Sequence, residues 1–120
     1  MPNGPEYVEA TLAKIESISA AIGGLAGAED EWKTNAQGRL AALVELLQGM
    51  GDRFFLKTRV CLPFARKCDQ AAEGLEALVS ELGGLSQGDG MQKLETALVV
   101  LEKAVRTLDE RSMMQGMAIT

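Results

Sequence analysis

Apolar residues recur at intervals of three and four along four stretches of the chain, at residues 5–22, 29–48, 63–82 and 91–111. The spacing is most regular in the fourth stretch, at Met91, Leu94, Leu98, Leu101, Val105 and Leu108. Because an α-helix turns once in about 3.6 residues, this spacing places the apolar side chains on one helical face. The pattern therefore predicts four amphipathic helices.

Two similar glycine-bearing segments follow the first and third stretches: GGLAGAED at 23–30 and GGLSQGDG at 83–90. We expect Gly23 and Gly83 to end their helices in the left-handed conformation, which glycine adopts without steric cost. Short connections at 23–28, 49–52 and 83–89 favour antiparallel neighbours. The sequence thus predicts an all-α protein, an antiparallel four-helix up-down bundle built from two similar αα-hairpins. Whether the hairpins are a true duplication stays open, since helix–Gly–Gly–helix patterns are generic.

A chain of 120 residues corresponds to one domain. We predict a single helical-bundle domain over residues 1–120, with residues 1–4 and 112–120 as flexible ends. Asn3 or Gly4 is expected to cap the first helix. One shared core is predicted to contain Leu40, Leu43, Leu75, Leu78, Leu98 and Leu101.

Net charge and hydropathy narrow the classes of partner. The net charge is −5 and the pI is about 4.7, which disfavours general nucleic-acid binding, because neutralising phosphates requires a basic surface. No uncharged apolar stretch approaches the roughly 20 residues of a membrane span. The N-terminus MPNGPEYVEA also lacks the basic and apolar regions of a secretory signal. We therefore expect a cytoplasmic protein.

The absence of histidine argues against most catalytic and metal sites. It removes the commonest general base and a common metal ligand. The segment GGLSQGDG lacks the Gly-Lys-Ser/Thr end of a phosphate-binding loop. Carboxylate pairs such as Glu73 and Glu76 have the spacing of a solvated helix face. The sequence predicts no catalytic residue, no metal and no cofactor, and hence not an enzyme.

The two cysteines, Cys61 and Cys68, lie seven residues apart. On a straight helix this spacing corresponds to a rise of about 10 Å, whereas disulfide-bonded Cα atoms lie within about 7 Å. We predict two free, buried thiols that act as small apolar side chains. A redox role or a disulfide across a dimer stays open.

One segment differs from the rest of the chain: RFFLKTRVCLPFARK at residues 53–67. It contains all three phenylalanines and five of the twelve basic residues, and no acidic residue. Pro63 disfavours helical geometry at the residue before it. Pro63 therefore either kinks one long helix or opens the third helix after a short extra helix or turn at 53–62.

On a continuous helix, four residues of this segment would share a face that points away from the bundle: Phe55, Arg59, Leu62 and Arg66. We call this set the 55–66 stripe and predict that it binds a partner, since aromatic and arginine side chains commonly anchor interfaces. The partner would be a second copy of the chain or an acidic protein. Three alternatives stay open: the segment caps one end of the bundle, with Phe55 turned inward by Pro63; it binds an anionic ligand; or it contacts a membrane surface.

These observations favour a non-catalytic protein–protein interaction module: a small acidic helical adaptor, an assembly factor or a homodimer. The first alternative is a secretion or assembly chaperone that holds an apolar partner helix. The second is a carrier of an apolar ligand in the bundle core. The interpretation rests on the missing catalytic residues and on the surplus apolar surface of residues 53–67.

Overall fold

Four α-helices account for most of the computed structural model, which describes residues 2–81 and 89–119 and their side chains as far as Met113. The helices are α1 (Gly4–Gly23), α2 (Asp30–Gly49), α3 (Leu62–Glu81) and α4 (Asp89–Ile119). Two 3₁₀ turns, Phe54–Lys57 and Arg59–Cys61, lie between α2 and α3. The described residues contain no strand. The predicted all-α class and four-helix bundle are confirmed.

A reciprocal pair of hydrogen bonds begins α1. The Glu6 backbone N–H donates to Asn3 Oδ1 (2.9 Å), and the Asn3 backbone N–H donates to Glu6 Oε1 (3.0 Å). This capping box satisfies two donors that the helix itself leaves free. Asn3 is therefore the cap, and Gly4 is the first, buried residue of α1.

The turn after α1 differs from the prediction. The backbone N–H of Gly24 donates to the Ala21 carbonyl, so the chain leaves the helix through a tight turn with φ −94° at Gly24. The left-handed residue is Gly27, with φ 85°. The predicted left-handed conformation at Gly23 is therefore wrong. Gly83 and most of the predicted turn at 83–89 lie outside the described residues.

The order of the helices around the bundle follows from their packing. Both α1 and α4 pack against α2 and against α3, so α2 and α3 lie on one diagonal. Near one end, Gly4 of α1 lies against Cys61, and further along, Lys14 of α1 pairs with Asp69 of α3. The neighbours α1 and α3 therefore run parallel. The helices α2 and α3 are consecutive in the chain but are not packed side by side, contrary to the expectation from a short connection.

Residues 50–61 form the α2–α3 connection, which crosses one end of the bundle. Phe55 and Leu56 are buried there, while Lys57 and Arg59 extend into solvent. Pro63 lies in the first turn of α3, where a missing N–H costs nothing. The alternative in which this segment caps the bundle and Pro63 opens the third helix is the one observed.

The core follows the apolar spacing of the sequence. In α4 the buried residues of this pattern are Leu94, Leu98, Leu101, Val105, Leu108 and Ser112. The same alternation of four and three, a mean period of 3.5 residues, occurs in the other helices and is typical of left-handed coiled-coil packing. Of the six predicted core leucines, five are buried, and Leu78 is half-buried at the edge of the core.

The fourth helix is longer than predicted. It has 31 residues, compared with 20 in each of the other three. Residues 112–119, predicted as a flexible end, continue α4, and the Ser112 hydroxyl donates to the Asp109 carbonyl (2.8 Å). Their flexibility stays a prediction.

Candidate interaction surfaces

The 55–66 stripe does not form one helical face. Phe55 is only 3% exposed, and its ring packs against Phe64 with 6.2 Å between centroids. Because residues 54–57 and 59–61 form two 3₁₀ turns that are separated by an extended Thr58, the helical spacing on which the stripe depended does not hold there. The prediction that Phe55 faces outward is therefore wrong. Arg59 and Arg66 are exposed, and Leu62 is half-buried beside them.

The remaining three residues of the stripe line one surface groove, which we call the α1–α3 groove. Its volume is about 260 Å³, and its walls are Pro2, Tyr7, Arg59, Leu62, Pro63 and Arg66. A neighbouring pocket extends it beneath the first turn of α1 and shares Pro2, Arg59 and Leu62. The groove thus combines two guanidinium groups with a tyrosine, a leucine and two prolines. That Arg59, Leu62 and Arg66 bind a partner stays a prediction.

Most basic residues of the 53–67 segment form no ion pair with the residues that the structure describes. Arg53 is the exception, because its guanidinium donates to Asp109 Oδ1 (2.6 Å) and to Ser112 Oγ (2.7 Å). These contacts fasten the α2–α3 connection to α4. In the part of the chain that the structure describes, the four ion pairs include none of the following: Lys57, Arg59, Arg66 and Lys67. These four cations are available to an acidic partner.

A second groove lies on the other side of α3, and we call it the α3–α4 groove. It has a volume of about 250 Å³ and is lined by Phe64, Lys67, Val100, Lys103, Ala104 and Thr107. The Arg111 guanidinium lies 5.3 Å from the centroid of the Phe64 ring, a cation–π contact. This groove was not predicted from the sequence. The feature of the sequence that could have indicated the groove is Val100, an apolar residue between the core positions Leu98 and Leu101.

A polar cluster joins α2 to α4. The Arg39 guanidinium donates to both Glu102 oxygens (2.5 and 3.1 Å) and to Glu95 Oε1 (2.8 Å). These bonds hold the pKa of Glu102 below its usual range and raise the pKa of Arg39. Arg39 and Glu102 thus both carry charge near neutral pH, and their attraction helps to hold the cluster together. We therefore interpret it as a structural contact between neighbouring helices.

Both cysteines are free and buried, as predicted. Removal from water raises the pKa of the Cys61 thiol and raises the pKa of Cys68 to about 12. The Cys61 Sγ also lies 3.6 Å from the Leu56 carbonyl, to which it donates. Because the thiolate is the reactive form of cysteine, both side chains act as packing groups.

The described residues contain neither a metal-binding cluster nor a helix that could span a membrane. Within residues 2–81 and 89–119, no group of three or more acidic or cysteine side chains is arranged to hold a metal ion. None of the described helices combines the length and apolar character needed to cross a bilayer. Comparisons with protein-family models, with curated proteins and with solved structures gave no match to this chain.

Proposed function

We propose that the chain is a non-catalytic protein–protein interaction module, a small acidic helical adaptor or assembly factor that pairs with a second copy of itself at the α1–α3 groove. The observation that carries this proposal is the placement of Arg59 and Arg66 beside Leu62; both arginines are exposed and have no ion pair among the described residues. Arginine is among the residues that most often anchor protein interfaces. The chaperone and carrier alternatives stay predictions.

The outer face of α3 carries Leu62 and Arg66 of the groove and continues to Glu73 and Ala77 at helical spacing. This face supports a second copy as the partner, because its charge changes sign along the helix. Arg66 and Glu73 are both exposed and lie seven residues apart, a rise of about 10.5 Å. That distance is too large for an ion pair within one chain. When two copies of α3 pack antiparallel about a two-fold axis, Arg66 of each copy lies opposite Glu73 of the other. The same register places Leu62 opposite Ala77.

A two-fold interface requires a surface that is complementary to itself. The α3 face meets this requirement through its basic N-terminal half and its acidic C-terminal half. In the other direction, a parallel pairing would place Arg66 against Arg66 and Glu73 against Glu73. Complementary charges also speed encounter between two copies of a protein.

Sedimentation equilibrium over a concentration series tests the proposal. We expect wild type to approach twice the 12.8 kDa mass of the chain, with the association weakened by salt, which screens exposed charges. Arg66→Glu should remain monomeric, because it places like charges opposite each other. The matched control is Arg106→Glu, which changes an equally exposed arginine on α4 and should behave as wild type.

Far-UV circular dichroism establishes that each variant is folded. Surface substitutions of this kind usually change stability by less than about 0.5 kcal/mol. A wild-type protein that is monomeric at every concentration contradicts the proposed self-association. A dimer that persists unchanged in Arg66→Glu contradicts the proposed surface.

A further inference from the structure

We infer that the α3–α4 groove binds an acidic amphipathic helix of a partner protein. This surface goes beyond the proposed self-association, since it lies on the opposite side of α3 and shares no lining residue with the α1–α3 groove. A chain with both surfaces would be a dimeric adaptor that presents two identical grooves. Four features of the groove support this occupant: its apolar floor, its basic rim, its length and its helical walls.

The floor of the groove is apolar and incompletely covered. Val100 is 52% exposed although it lies in the middle of α4. Phe64 of α3 and Ala104 of α4 are half-buried beside it. Exposed apolar surface gathered in a groove, in contrast to isolated apolar residues, is typical of a site that buries a partner. Val100 lies between the core positions Leu98 and Leu101 and points away from the core, so the Val100 side chain is not part of the core.

The rim of the groove is basic. Lys67 and Lys103 line it from opposite helices, and no lining residue is acidic. Neither lysine takes part in an ion pair among the described residues. Arg111 adds a third positive charge above the Phe64 ring. In a chain whose net charge is −5, this local excess of positive charge favours an acidic occupant by electrostatic complementarity.

The surface continues along the junction between α3 and α4. A second open pocket lies further along it, with Leu78 and Ala97 as its apolar residues and Lys93 as its basic one. From Phe64 to Leu78 the helix α3 rises about 21 Å, which corresponds to four turns of a bound helix. Asp89 lines the far pocket and marks the end of the basic rim.

The walls of the groove favour a helix over an extended peptide. Both walls are α-helices whose backbone groups are bonded within each helix, so neither offers the free edge that a β-strand requires. The hollow between two packed helices accepts a third helix at the usual interaxial distance of about 8–10 Å. The occupant would place apolar residues at i, i+3, i+4 and i+7 on the floor and acidic residues against the lysines.

The test uses two synthetic peptides labelled with fluorescein and measured by fluorescence anisotropy. Each peptide has about 14 residues, with leucine at helical spacing, and the flanking residues are glutamate in one peptide and lysine in the other. The acidic peptide should bind wild type saturably, and added salt should weaken it. The lysine peptide should bind at least about tenfold more weakly, a difference of about 1.4 kcal/mol.

Three variants locate the binding surface. Lys67→Glu combined with Lys103→Glu should weaken the acidic peptide by about tenfold. Val100→Ser should weaken it without altering the salt dependence. Arg106→Glu is the matched control, three residues from Lys103 on the same helix, and should stay within about twofold of wild type. Circular dichroism confirms that each variant retains its helices.

Several outcomes overturn the inference. They are the absence of saturable binding to wild type, equal binding of both peptides, and an equal loss in Arg106→Glu and in the lysine double variant. A dimer that the lysine double variant abolishes and Arg66→Glu preserves would identify the occupant as a second copy, which also overturns the inference. Peptide binding that survives in monomeric Arg66→Glu supports the inference and separates it from the proposed self-association.

Discussion

Gly4→Ala tests the contact between the α2–α3 connection and the first turn of α1. An alanine Cβ at this position would overlap the Leu56 carbonyl oxygen and lie 2.6 Å from the Cys61 Sγ. The carbonyl belongs to the backbone of a 3₁₀ turn and cannot rotate away as a side chain would. Either the connection moves off the end of the bundle or the first turn of α1 unwinds.

The cost can be bounded from these two responses. Forcing an extra methyl group into a packed site costs about 1–3 kcal/mol. Unwinding residues 2–4 instead sacrifices the Asn3–Glu6 capping box, which contributes about 1 kcal/mol, together with the burial of Tyr7. We therefore expect a loss of about 1–3 kcal/mol, or a fall in Tm of roughly 4–12 °C.

The matched control is Gly74→Ala in the middle of α3. Apart from the two chain neighbours and the adjacent backbone of α3, no described atom lies within 4 Å of the added Cβ there. Replacing a helix-interior glycine by alanine should stabilise the protein by about 0.5–1 kcal/mol. Thermal melting followed by far-UV circular dichroism measures both variants. A Gly4→Ala melting point equal to or above that of wild type would refute the packing of the connection against α1.

Three further predictions concern the core, the thiols and the polar cluster. Leu98→Ala should cost about 2–5 kcal/mol in urea unfolding, since Leu98 is fully buried; an unchanged midpoint contradicts that burial. Thiol titration should find Cys61 and Cys68 slow to react in the native protein and both reactive in denaturant, because burial raises the pKa of each thiol. Arg39→Met should cost about 1–2 kcal/mol at neutral pH. That cost should diminish as the pH falls below 4.5, which is the ordinary pKa of Glu102. Arg39 lowers the pKa of Glu102 in the folded protein, and protonation of Glu102 at low pH removes the attraction. A cost that does not change with pH contradicts an ion pair between Arg39 and Glu102.

The four helices could be predicted from the sequence because the same spacing of apolar residues occurs in each of them. Apolar residues at intervals of three and four bury one face of each helix, and the same alternation from Leu94 to Leu108 forms the core of α4. The predicted helix starts lie within two residues of the observed ones. The sequence also placed the cap of α1 at Asn3 or Gly4, and the structure shows that Asn3 is the cap, in a capping box with Glu6 that was not predicted.

The α2–α3 connection could not be predicted by the same signal. The spacing of an α-helix places Phe55 on one face with Arg59 and Arg66. A 3₁₀ turn has about three residues per turn instead of about 3.6, so the side chains point in other directions and Phe55 packs against Phe64. The sequence contains no local mark that distinguishes the two geometries. Tertiary packing decides between the α-helical and the 3₁₀ geometry, because the 3₁₀ turns allow Phe55 and Leu56 to be buried at the end of the bundle. The diagonal placement of α2 and α3 also depends on tertiary packing, because it is set by which helices pack against each other.

The candidate surfaces were partly predictable. The excess of positive charge in residues 53–67 directed attention to Arg59, Leu62 and Arg66, and the structure places these three residues in one groove. That they bind a partner stays a prediction. The α3–α4 groove was missed because its residues come from two helices that are distant in sequence. Only the packing of α3 on α4 brings Lys67 and Lys103 to the same rim.

We propose that the outer face of α3 joins two copies of the chain in an antiparallel arrangement. Light scattering of the variants Arg66→Glu and Glu73→Arg, alone and in an equimolar mixture, measures this most directly. Each variant alone places like charges opposite each other and should be monomeric. In the mixture, opposite charges face each other again, and the molar mass should rise to that of a dimer. A mixture that remains monomeric, or single variants that dimerise as wild type does, would contradict the claim.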